Sequence, residues 1–226
     1  MANRQSSTAL HDSPSSIVFK DLCIKNPFGK TLIKDLHLTI DSGDRVLIQG
    51  PSGAGKTTLL RTIAGLWSFS EGEIYCPQDS QLFLSQKPYL PQGNLLTALA
   101  YPNAPDSIEV AQACDVLSKV QLGHLIERLE QEQDWTRILS LGEQQRLAFA
   151  RLLLQKPRVA FLDEASASMD EGLEFAMYQL LQSELPNTTI ISVGHRSTLQ
   201  QLHHHQLHIL GDGHWQWLAT ENAARH

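Results

Sequence analysis

One stretch limits the possible folds more than any other. It reads Arg45-Val46-Leu47-Ile48-Gln49, then Gly50-Pro51-Ser52-Gly53-Ala54-Gly55-Lys56-Thr57-Thr58, then Leu59-Leu60. The five residues before Gly50 have the length and apolar content of a short strand. Glycines at 50, 53 and 55 ask for a tightly bent backbone. From Lys56 the apolar spacing predicts a helix over 56–65 that stops at Gly65. A strand, a glycine-rich turn and a helix in this order aim backbone N–H groups and a positive helix end at one point, which suits an anion. The spacing Gly-x-x-x-x-Gly-Lys-Thr suits the phosphates of a nucleotide in particular. Gly50, Pro51, Ser52, Gly53, Ala54 and Gly55 then form the cradle. Lys56 reaches the β- and γ-phosphates, and Thr57 offers its hydroxyl to Mg²⁺ with Thr58 beside it.

The rest of the chain fits an α/β reading. Residues 1–16 are rich in polar side chains and are expected to be a disordered tail or linker. Two apolar clusters at 17–19 and 22–24, and the alternation of Leu36, Leu38 and Ile40, predict strands, the second with one wet face. Strands are also expected at 73–75, 82–85, 159–162, 189–193 and 207–210. Five prolines and glycines break up residues 86–106. Beyond them, helices are expected over 107–120, 122–130, 142–155 and 171–185. Strands, then helices, then alternating strand and helix predict an α/β core with an inserted helical segment.

Two more segments carry chemistry. Val159-Ala160-Phe161-Leu162 is fully apolar, as in a parallel strand buried on both faces, and it runs straight into Asp163 and Glu164. Beside a phosphate loop, Asp163 can hold the Mg²⁺ shell and Glu164 can polarise an attacking water. The second segment, Leu139-Ser140-Leu141-Gly142-Glu143-Gln144-Gln145-Arg146, opens the helix predicted at 142–155. A serine hydroxyl and N–H groups at a helix N-terminus are anion ligands.

With these three motifs in order, the sequence resembles the ABC ATPase family, the nucleotide-binding domains of ATP-driven transporters. Residues 139–143 are similar to the family signature Leu-Ser-Gly-Gly-Gln, with Leu141 at its first glycine and Glu143 at its glutamine. The resemblance extends over roughly residues 17–218. It implies a P-loop NTPase fold: a mainly parallel RecA-like core sheet, an N-terminal antiparallel β portion, and an α-helical subdomain at about 87–155 within a domain spanning 17–220. It implies ATP and Mg²⁺ as ligands. It also implies a homodimer or pseudo-dimer in which Ser140, Gly142 and Glu143 of one copy close over ATP held by the other. Gln86 matches the Q-loop glutamine, a ligand of Mg²⁺ or of the attacking water. Ser168-Met169-Asp170 resembles the loop that crosses the dimer interface, and His195 matches the histidine that contacts the γ-phosphate. The resemblance thus makes Glu164, His195 and Gln86 catalytic, and Thr57, Gln86 and Asp163 metal ligands. The family's adenine-stacking aromatic has no direct match near Asn26 and Pro27; Phe28 is the nearest candidate.

Gly65-Leu66-Trp67, Gln86-Lys87-Pro88-Tyr89-Leu90-Pro91, Ala100-Tyr101-Pro102, Gly194-His195-Arg196-Ser197-Thr198-Leu199 and Gly213-His214-Trp215 narrow the resemblance. They are similar to peroxisomal fatty-acyl exporters and to bacterial relatives associated with cobalamin, bleomycin or peptide uptake. That implies a membrane-spanning partner domain, fused or separate, and a place on the cytoplasmic side of a membrane. The alternatives are a soluble ABC ATPase acting on nucleic acid or ribosomes, and a regulatory module without turnover. The first usually has two cassettes or coiled coils, and neither appears in this sequence. The second would have lost its catalytic acid, and Glu164 is present. No Asn-Lys-x-Asp guanine-reading motif occurs.

Composition excludes other classes. Eighteen basic against 24 acidic residues, net −6, argue against nucleic-acid partners. No apolar run approaches the roughly 20 residues of a transmembrane helix, and residues 1–16 lack the apolar core of a secretory signal. Three scattered cysteines fit free thiols in a reducing compartment. His203, His204, His205 and His208 read as a solvated stretch before the last strand rather than a metal site. Trp215 and Trp217 read as one face of a terminal strand.

Overall fold

The computed structural model describes residues 8–220. In chain order its strands are β1 Ala9–Asp12, β2 Ile17–Lys25, β3 Thr31–Ile40, β4 Arg45–Gln49, β5 Ser70–Cys76, β6 Gln81–Ser85, β7 Val159–Asp163, β8 Thr189–Val193, β9 His205–Ile209 and β10 Trp215–Ala219. The α-helices are α1 Lys56–Ile63, α2 Leu95–Ala100, α3 Val110–Lys119, α4 Trp135–Ile138, α5 Leu141–Gln155 and α6 Glu171–Glu184. The chain divides into two compact units. The first takes in the described residues up to Gln81, Arg158–Asp163, and those from Asn187 onward; the second holds Leu82–Pro157 and Glu164–Pro186.

Two sheets make up the first unit. One runs β1-β5-β2-β3, with β2 antiparallel to both β3 and β5. In the other, strands of this unit follow the order β10-β9-β4-β8-β7. Here β9, β4, β8 and β7 are parallel and only β10 is antiparallel. β8 is buried along its whole length, and β4 and β7 are buried except at their last residues, Gln49 and Asp163. That burial explains why their sequences are nearly continuous apolar runs. α1 adds Leu59, Leu60 and Ile63 to the same core, which also contains Phe19, Ile33, Ile48 and Phe161. Truncating a fully buried aromatic such as Phe161 to Ala costs about 3–5 kcal/mol.

Several expectations change in this unit. Ala9–Asp12, assigned to a disordered tail by composition, pairs in parallel with β5 as strand β1. Residues 1–7 of that tail lie outside the described residues. The polar break at Lys20-Asp21 falls inside one strand, as expected. It is a bulge in β2, where Asp21 adopts a left-handed φ of 49°, which aspartate tolerates. His203 is not solvated: it is 3 % exposed.

The second unit is helical. α5 packs against α2, α3 and α6. Its Phe149 meets Tyr178 of α6 edge-on at 5.8 Å. The segment at 86–106, which looks irregular from its prolines, contains α2. The Asn94 side chain caps that helix by accepting from Thr97 N–H at 3.0 Å. Arg151, 5 % exposed, ties this segment to α5. It donates to the carbonyls of Ala98 and Tyr89, both at 2.7 Å. Burial lowers its pKa to about 10, so it stays charged and leans on these carbonyls. α4 is an unexpected single turn whose Trp135 is buried. Residues 122–130 hold a 3-10 turn, Gly123–Arg128, in place of the expected α-helix, and Pro105–Ser107 form another before α3 begins at Val110. The helical unit also reaches beyond the expected 87–155 to include Glu164–Pro186.

Candidate functional site

In the first unit, strand register gathers the candidate residues at one edge. β4, β8 and β7 are parallel, with Ile48 beside Val193 and Val193 beside Asp163. The loop after Gln49, the residue Asp163 and the segment Gly194-His195 therefore all leave the carboxyl ends of adjacent strands, where open α/β sheets bind ligands.

Gly50 has φ 152°, and a Cβ there would stand 2.0 Å from the Ile209 carbonyl oxygen, so only glycine lets the loop pass β9 this closely. Pro51, Ser52 and Gly53 are exposed, and Ala54, Gly55 and Lys56 are buried. Gly55, left-handed at φ 110°, turns the chain into α1. The Lys56 ammonium donates to the carbonyls of Gly50 at 2.5 Å and Pro51 at 3.0 Å, which holds it within its own loop. Thr57 Oγ1 donates to Asp163 Oδ1 at 3.3 Å. Two cis ligands of an octahedral ion at about 2.1 Å stand about 3 Å apart, so this hydroxyl and carboxylate fit Mg²⁺. The Thr58 carbonyl accepts from the Thr62 hydroxyl at 2.8 Å, one turn further on. His195 is exposed after β8. Phe28 is 95 % exposed at the tip of a turn in which Asn26 Oδ1 accepts from the N–H groups of Phe28 and Lys30.

The second unit holds the other candidates. Glu164 directly follows Asp163 and is left-handed at φ 54°, a conformation costly for a residue with a Cβ and common at functional sites. Ser140 is exposed and caps α5 in a reciprocal box. Its Oγ accepts from Glu143 N–H at 3.2 Å, and its N–H donates to Glu143 Oε1 at 3.0 Å. His124 Nε2 lies 3.2 Å from the other carboxylate oxygen. Burial pushes Glu143 up, but the Ser140 and His124 hydrogen bonds outweigh it and hold the carboxyl below its usual range. Helix α5 starts at Leu141, one residue earlier than expected, which places half-buried Leu141 in its first turn. A Cβ on Gly142 would lie 3.0 Å from the Ser168 carbonyl oxygen. Asp170 caps α6 by accepting from Leu173 N–H at 2.8 Å. Gln86 is exposed, and its carbonyl accepts from Gln145 Nε2 at 2.7 Å.

Gln145 is not among the residues the sequence motifs single out. The available signal was a glutamine three and seven residues before the buried Ala148 and Leu152, on an apolar helix face.

Comparison with known proteins shows the family. A family model described as ABC transporter matches residues 33–167. An ABC transporter ATP-binding protein of Haemophilus influenzae is 70 % identical over 217 residues, covering 96 % of this chain and 37 % of that protein. The human lysosomal cobalamin transporter is 39 % identical over 201 residues, covering 83 % of this chain and 33 % of that protein. A bacterial Atm1-family ABC exporter solved with ATP bound has the same fold, with a TM-score of 0.77 at 23 % identity over 94 % of this chain and 40 % of that one. The chain thus spans roughly a third of the length of the curated relatives it matches. By the family model over residues 33–167 and the relative 70 % identical over 96 % of it, this chain belongs to the ABC transporter family and carries that family's ATP-binding domain.

Proposed function

We propose that the domain hydrolyses ATP within a dimer. Two copies close head to tail on two ATP molecules, and closure drives a membrane-spanning domain between two states. The carrying observation is the pair Thr57 and Asp163, 3.3 Å apart at the strand edge that also launches the Gly50–Lys56 loop. Lys56 and the loop N–H groups hold the phosphates. Thr57, Asp163 and Gln86 supply oxygen ligands for Mg²⁺, which when bound neutralises charge on the phosphate oxygens. Glu164 orients a water in line with the γ-phosphorus and takes its proton as the bond to the leaving oxygen breaks. His195 contacts the γ-phosphate. Ser140, Gly142 and Glu143 of the partner copy complete the enclosure. Among the described residues no helix is long and apolar enough to cross a membrane. The membrane-spanning part is a partner domain, fused to this one or separate. The ATPase domain then works at that membrane's cytoplasmic face.

The test is Mg-ATP turnover against protein concentration, beside gel filtration of Glu164→Gln with ATP. Turnover rising faster than linearly, lost in a variant that forms an ATP-held dimer, supports the reading. Turnover strictly linear in concentration, with a monomeric Glu164→Gln, refutes it.

A further inference from the structure

We propose that Gln145 is a positioning residue that couples the main chain at Gln86 to the main chain at Ser168. The inference rests on the ATPase reading above and assigns a role to a side chain that touches neither nucleotide nor metal in that reading. Gln145 lies in the second turn of α5 and is fully buried. Its Nε2 donates to the Gln86 carbonyl at 2.7 Å, and its Oε1 accepts from Ser168 N–H at 3.0 Å. The amide has one orientation that satisfies both contacts: flipped, it would set an NH₂ against an N–H and an oxygen against a carbonyl. One planar group thus joins the two loops.

Both loops matter to the proposed reaction. Gln86 carries the side chain assigned to Mg²⁺ or water, and Ser168 opens the segment assigned to the dimer interface. A second observation places the Ser168 loop on the same helix. Gly142, one turn before Gln145, leaves room for the Ser168 carbonyl, which a Cβ would approach to 3.0 Å. The far end of that loop is fixed too, since the buried Ser166 hydroxyl donates to Glu174 Oε2 of α6. A buried amide that loses a partner has no water to replace it. A shift of the Gln86 main chain therefore drags Gln145, and through it Ser168, or else leaves a buried polar group unpaired. The side chains at 86 and 168 play no part in the link, because both partners are backbone groups.

The test reads amide hydrogen exchange in the full chain with and without Mg-ATP, over segments 50–58, 82–90 and 165–172. In the unvaried chain, Mg-ATP should slow exchange in all three. In Gln145→Met, of similar size and without polar atoms, the slowing at 165–172 should fall at least tenfold while that at 50–58 persists. Turnover kcat should fall at least tenfold with KM for ATP within twofold, a split that general destabilisation does not give. Gln145→Glu, which keeps the acceptor for Ser168 N–H and loses the donor to Gln86, should lose the same coupling. Wild-type kcat and wild-type protection in Gln145→Met overturn the proposal. If neither variant folds, the unvaried chain decides: ATP-dependent slowing at 82–90 without slowing at Ser168 overturns it. No slowing at 50–58 defeats the ATPase reading itself, and this proposal falls with it.

Discussion

His203 should make the domain lose stability on mild acidification. The imidazole is 3 % exposed and neutral: its Nδ1–H donates to the Leu199 carbonyl at 2.6 Å, and its Nε2 accepts from the Ser192 hydroxyl at 2.9 Å. Burial pushes its pKa down from 6.5 to about 4. The Leu199 hydrogen bond pulls the other way, and the charges of Arg45 and His204 push further down. In the unfolded chain the ring takes a proton near 6.5, whereas in the folded chain it does so only near 4. Stability is therefore complete above about pH 6.5, falls as pH drops from there to about 4, and loses nothing more from this group below that. The whole effect is about 3 kcal/mol, at about 1.4 kcal/mol per pKa unit. The perturbation is His203→Gln, which does not titrate. Urea unfolding at fixed ionic strength, from pH 7.5 to 4.5, follows tryptophan fluorescence. At pH 7.5 the variant should be less stable by about 1–2 kcal/mol, the worth of the lost hydrogen bonds. By pH 4.5 wild type should have lost about 2–3 kcal/mol relative to the variant, so their order reverses. His204, also lowered chiefly by burial, is present in both proteins and cancels. A stability difference constant to within about 0.5 kcal/mol over the range would show that His203 is not held neutral in the fold.

Three further substitutions separate stability from function. Gly50→Ala forces a methyl group against the Ile209 carbonyl, 2.0 Å away, in a left-handed backbone; it should cost more than about 2 kcal/mol in urea unfolding and abolish ATP binding by calorimetry. Ser140→Ala removes the cap of α5 and should cost about 1 kcal/mol in stability. Its ATP turnover should fall at least about tenfold, more than that cost explains, because the same hydroxyl is proposed to meet the partner's nucleotide. Phe28→Ala should leave unfolding free energy within about 0.5 kcal/mol, since the ring is 95 % exposed. If Phe28 stacks on adenine, ATP affinity should drop about tenfold, and unchanged affinity removes it from the site.

The elements read correctly from the sequence share a simple cause. β4, β7 and β8 are short apolar runs, and the loop between β4 and α1 has residue types that fit little else. Ser140 and Glu143, three apart before an apolar run, already spell a capping box. Local composition misleads where distant partners overrule it. Ala9–Asp12 look like a polar tail but gain a full ladder from β5. α2 hides among prolines because its stability comes from the Asn94 cap and from Arg151, which reaches the Ala98 carbonyl 53 residues away. His203 looks solvated beside two other histidines, yet Ser192 and Leu199 give both its nitrogens buried partners.

The chemistry open to this domain is written in short stretches of the chain. A glycine-rich loop before Lys56 and Thr57, an acidic strand end and a capped signature helix are local patterns, each set by backbone geometry within a few residues. How those pieces are held depends on contacts between residues far apart in the chain. Parallel register at β4, β8 and β7 brings residues 50–57, 163 and 195 to one edge. Within the helical unit, a single buried amide at Gln145 joins backbone groups 59 and 23 residues away in the chain. Hydrogen bonds to the main chain leave no trace in the identity of the partner residue, so no pattern in the sequence could have named them.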